Sequence, residues 1–133
     1  MDDTPNIDVP GWSELIDWFG YSPNFHDAEI LSIDLRREPE VSTIRIHVWR
    51  TNDDVTPEGF YRLDRHAIAT FSLWGIRSLQ MEGWNHQNAL WELRIDSGAE
   101  GFTLHMPTAN GLEGEIVAAR ISVAIEAYSP PTA

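Results

Sequence analysis

From Ala28 almost to its end the chain places apolar residues at every second position, and nowhere in that stretch do they take the three-and-four spacing of a crossover helix. Strands joined without crossover helices pair antiparallel. The alternating sets are Leu31, Ile33 and Leu35; Ile44, Ile46 and Val48; Ala67, Ala69, Phe71 and Leu73; Leu79 and Met81; Trp91, Leu93 and Ile95; Phe102, Leu104 and Met106; and Val117, Ala119, Ile121, Val123 and Ile125. The expected fold is α+β and mostly β. It is an antiparallel meander of about seven strands over residues 28–127, closed as a curled sheet, a sandwich or a partly open barrel.

One short N-terminal helix is expected to pack on that sheet. Over residues 10–20, Trp12, Leu15, Ile16 and Phe19 form a single apolar stripe, Pro10 suits a first helical turn, and Gly20 and Pro23 stop the helix. Two or three turns are marginal alone, so the stripe must be laid on the sheet. Residues 1–9 are polar and acidic and read as a flexible arm, and 128–133 as a tail containing Pro130 and Pro131. The 133 residues fit a single domain. Residues 37–40 read as a tight charged turn, and residues 51–59 as the longest polar loop.

A formal charge of −12 repels phosphates and anionic membranes and attracts basic surfaces, so neither nucleic acid nor membrane is an expected partner. All nine basic residues are arginine. Cysteine is absent, which rules out thiolate nucleophiles and zinc–thiolate sites. With no basic, apolar leader pattern in the first residues, a cytoplasmic location is expected.

Chemistry-bearing motifs are sparse. His26–Asp27, with Glu29 beside it, has the residue types of a metal phosphohydrolase signature, but those enzymes gather further ligands from several helices. The alternative for this pair is structural: Asp27 accepting main-chain N–H bonds at the helix-to-strand junction, His26 bonding a carbonyl. The other histidines, His47, His66, His86 and His105, show no HxH or HExxH spacing, so no metal and no cofactor is expected. No GxSxG or Walker loop occurs. Of six tryptophans, Trp12 and Trp91 fall in core phase, whereas Trp49 and Trp74 fall in the polar phase, which suits an interface as well as a core.

Three stretches carry a resemblance: Phe25-His26-Asp27-Ala28-Glu29-Ile30 after a Trp- and Phe-rich helix, residues 79–88 with Trp84, Asn85 and Asn88, and the glycine-flanked entry at 111–116 into the last strand. Together they resemble the immunity-protein-fifty family of bacterial polymorphic toxin systems. The resemblance implies a cytoplasmic, non-catalytic protein that neutralises a cognate toxin by direct binding. Phe25, His26, Asp27, Trp84, Asn85 and Asn88 match recurrent positions of the family and are expected to be structural. An acidic chain suits a basic toxin partner, and Trp49, Asp53, Asp54 and Glu58 are the candidate contact residues. The competing expectation is a small enzyme or ligand-binding β-barrel with histidines around an inner pocket.

Overall fold

A computed structural model describes residues 9–55, 57–59, 61–99, 101–107 and 111–129, and their side chains except those of 51–55 and 61–63. Helix α1 (Trp12–Phe19) is followed by β1 (Glu29–Asp34), β2 (Ser42–Val55), β3 (Tyr61–Glu82), β4 (Asn88–Ala89), β5 (Arg94–Gly98), β6 (Gly101–Met106) and β7 (Glu113–Ala127). The seven strands form one antiparallel sheet in the order β4-β1-β2-β3-β7-β6-β5. The meander is therefore double. Two three-stranded meanders, β1-β2-β3 and β5-β6-β7, join along the β3–β7 ladder, and β4 returns to pair with β1.

That return forces the sheet to curl. Ala89 in β4 and Arg94 in β5 are five residues apart and can be separated by at most about 18 Å, whereas six strand spacings in a flat sheet amount to about 29 Å. The two edges must approach each other, and the result is a half-barrel.

The strand count matches the sequence expectation, but the membership differs in three places. Residues 67–73 and 76–82 belong to one long strand, β3, which bends at Gly75 (φ 64°). Residues 51–55, expected in a loop, continue β2 and pair with β3 through Thr51–Leu63 and Val55–Tyr61. Main-chain pairing holds this extension, so polar side chains there leave no alternating trace. β4 falls between the alternating sets that end at Met81 and begin at Trp91, because two residues are too few to show a period.

A phase change in β7 is a further correction. The inward side chains are Ile116 and Ala118, then Ile121 and Val123, not the unbroken odd-numbered set beginning at Val117 and Ala119. Opposite them in β3, the inward pairs Leu73–Ile121 and Ile76–Ala118 are three residues apart on both strands. Both strands turn over together beside Gly75, where a Cβ would lie 3.0 Å from that of Ala119.

The helix begins two residues later than Pro10. The Pro10 carbonyl accepts the Val123 N–H of β7 at 2.9 Å, so Gly11 must take φ 92° to start the helix, and a Cβ there would sit 1.8 Å from the Val123 oxygen. Gly20, at φ 83°, closes the helix by donating its N–H to Ile16 O. The expected stripe faces inward: Trp12 lies 5.9 Å from Phe25 and 6.4 Å from Phe71, and all three rings are buried. At the other end Trp18 bonds Arg65 O through Nε1 at 2.8 Å, and Arg65 donates to Trp18 O and lays its guanidinium over the indole at 4.3 Å. Between these anchors β3 presents only Ala67 and Ala69, which leave room for a helix.

Candidate functional site

The interior of the half-barrel is apolar. Among the described residues the only buried polar side chains are Ser42 and Asn88, and no histidine is buried. The chemistry-bearing residues instead gather on the rim and outer face, where the 20–28 linker meets β2 and β3.

The linker is set by main-chain chemistry. His26 N–H donates to Asn24 Oδ1 at 2.9 Å, Ala28 N–H to Phe25 O at 3.0 Å, and Asp27 N–H to Leu90 O at 2.9 Å. An Asx turn nested in a tight turn results. Phe25 and Asp27 both adopt positive φ, 64° and 66°, so the Phe25 ring points into the core while the two residues after it face solvent. The Asp27 side chain is 71% exposed. Its main chain is tied to Leu90, and its carboxylate stands 3.5 Å from His26 Nε2.

His26 Nδ1 lies 2.8 Å from Trp91 O; a carbonyl only accepts, so Nδ1 carries the hydrogen. The Trp91 ring packs edge-on against His26 at 4.9 Å. Trp91, expected in the core, is 54% exposed. Leu90 and Leu93 are the inward residues of this crossing, and their three-residue spacing leaves Trp91 outside. The period of two begins only at Leu93.

On the outer face of β2 and β3, His47 Nε2 and His66 Nδ1 share a hydrogen bond of 2.9 Å. Trp49 and Tyr128 pack on His47, each at 4.9 Å between ring centres. Ile68 sits directly across from His47 in the ladder and is only 4% exposed, although it belongs to no part of the inner core. The cluster is thus a small second core on the convex side. Burial, and then the neighbouring His66, lower the His47 pKa below its ordinary value of 6.5. One strand step further, Arg50 grips Asp64 with two bonds, Nε to Oδ1 at 2.9 Å and Nη2 to Oδ2 at 2.8 Å. Both charges act on Tyr21, whose phenol is raised first by partial burial.

Between linker and sheet lies a notch of about 270 Å³, with Tyr21, His26, Asp27 and Trp49 on its walls. A larger cleft of about 390 Å³ lies at the other end of the sheet, lined by Glu82, Glu92, Glu113 and Glu115 with Arg94 and His105. His105 bridges Asp96 and Glu115 at 3.0 and 3.4 Å. Among the described residues no three His, Cys, Asp or Glu side chains converge as a metal site.

The Asn88 side chain binds the Asn85 main chain twice: Asn85 N–H donates to Asn88 Oδ1 and Asn88 Nδ2 donates to Asn85 O, at 2.9 and 2.8 Å. This knot sets the path into β4, with Trp84 exposed beside it. Trp49 is on the notch, and Glu58 is exposed in the turn at 57–59. Asp53 and Asp54 lie in β2, with side chains outside those described. Tyr21, Trp91, His66 and Tyr128 were not singled out from the sequence as site residues. The alternation of Ile44, Ile46 and Val48 turns His47 outward, but its pairing with His66 depends on the register between β2 and β3, which the sequence between them does not show.

The family model of Immunity protein 50 matches residues 11–128. The chain belongs to that family. The Immunity protein 50 match begins at the glycine that starts α1 and ends at Tyr128 of the outer cluster, so it takes in every strand and both walls of the notch. No curated protein and no solved structure matches the chain.

Proposed function

We propose that this protein neutralises a bacterial toxin by binding it directly, and that it does so as a stoichiometric binder without catalysis. The observation that carries the reading is membership of the Immunity protein 50 family across residues 11–128. Two features support it independently. The charge of −12 attracts a basic partner, and the exposed Tyr21, Trp91 and partly exposed Trp49 supply the aromatic anchors that specific interfaces use.

The partner in this reading is a cognate, basic toxin met in the cytoplasm. Its contact surface is the rim beside the β2–β3 hairpin, with Trp49, Asp53, Asp54 and Glu58 as contact residues. None of the described helices is long and apolar enough to cross a membrane. Co-expression with the product of an adjacent toxin-like gene tests the reading: growth arrest is relieved and the two proteins co-purify. Relief without a complex, or a complex without relief, contradicts it.

A further inference from the structure

Resting on the reading of this protein as the binder of a basic protein, we propose that the notch between Tyr21 and Trp49 receives an arginine side chain of that partner, with the Asp27 carboxylate as counter-ion. Each element of an arginine receptor is present. Tyr21 and Trp49 line a space of about 270 Å³, and Asp27, whose side chain is 71% exposed, lines it as well. A guanidinium is weakly hydrated on its faces and donates hydrogen bonds from its edge, so it stacks on rings while bonding a carboxylate; a lysine ammonium is more strongly hydrated and lacks the planar face.

The molecule uses the same chemistry on itself. Arg65 lies over Trp18 at 4.3 Å, and Arg120 over Trp74 at 4.7 Å. Arg50, the cation beside Tyr21, is already held by both oxygens of Asp64. Among the described residues no guanidinium stacks on Trp49, whose ring neighbours are His47 and His66. Among the described residues the only cation-forming group within 4 Å of the Asp27 carboxylate is His26 Nε2, at 3.5 Å, beyond good hydrogen-bond distance.

The main chain that carries Asp27 is also held in place before any partner arrives. Positive φ at Phe25 and Asp27, a conformation that non-glycine residues seldom adopt, is fixed by the bonds to Asn24 and Leu90. A counter-ion carried on a main chain fixed in advance loses less freedom on binding. The charge of −12 supplies the attraction that brings a cation to it.

The test is a titration of the full chain with acetyl-Gly-Arg-Gly-amide, read by the NMR resonances of the Trp49 indole N–H and of residues 24–28. The citrulline peptide, equal in shape and uncharged, is the control. Saturable shifts confined to these resonances are expected, with the citrulline peptide bound at least about tenfold more weakly. Asp27→Asn, which keeps a side chain tolerant of the left-handed backbone, is expected to remove that preference while the remaining spectrum stays unchanged; Trp49→Leu is the second variant and is expected to abolish the shifts. Equal binding of both peptides, shifts scattered over the acidic surface, or an unaltered preference in Asp27→Asn overturns the proposal. If the peptides fail and the adjacent gene product is still captured, the notch is wrong and the binder reading survives. If the arginine peptide binds at the notch and no such protein is captured, it is the binder reading that fails.

Discussion

At Asp27 the side chain and the backbone have separate roles. The carboxylate is solvent-facing, so the cost of Asp27→Ala comes from the main chain at φ 66°, where Asp is tolerated and Ala is not. Asp27→Ala is expected to lower stability by about 1 kcal/mol, and Asp27→Gly to leave it unchanged or slightly raised; chemical denaturation of both variants checks this. His47 gives a pH signature with a definite sign. Its folded pKa lies below 6.5, so near pH 7 both states are neutral and nothing is lost. As pH falls through 6.5 the unfolded chain takes up the proton first, and stability declines until the folded pKa is reached. His47→Gln is expected to flatten the fall in melting temperature between about pH 7 and pH 5. An unchanged fall assigns the acid sensitivity to other groups.

Among the elements, α1 depends on a main-chain contact that no side-chain pattern reveals. Gly11→Ala drives a Cβ into the Val123 carbonyl and forces a left-handed residue at the helix start. It is expected to cost at least about 2 kcal/mol and to raise hydrogen exchange across Trp12–Phe19 ahead of the remaining chain. A mutant with wild-type stability and exchange contradicts the docking of Pro10 on β7. The helix stripe and the central strands were legible in the sequence because burial wrote their period into Trp12, Leu15 and Phe19 and into Ile44, Ile46, Phe71 and Leu73. Elements held by main-chain pairing left no such record: residues 51–55 extend β2 with polar side chains, and β4 is two residues long. The turnover at Gly75 and the outward Trp91 escaped for a related reason, since both break a period that simple alternation would continue. Of the candidate site, Trp49 could be placed on the outer phase, whereas its meeting with Tyr21 and Asp27 depends on the linker's two left-handed residues.

For the whole molecule the governing quantity is a charge of −12 on a half-barrel. Such a field raises encounter rates with a cationic partner by roughly 10- to 1,000-fold at low salt. Association with the proposed toxin partner is therefore expected to slow as salt rises, and Asp53→Lys with Asp54→Lys to slow it further with the melting temperature preserved. Stopped-flow association that ignores both salt and these substitutions contradicts the placement of the acidic hairpin in the interface. The central claim, that neutralisation is binding without turnover, is tested most directly by titrating a fixed amount of the adjacent gene's toxin with this protein and following toxin activity. Under tight-binding conditions activity is expected to fall in a straight line to an end point at a fixed stoichiometric ratio. Complete loss at a small fraction of the toxin concentration, deepening with incubation time, would mean that each molecule inactivates many, and would contradict the account.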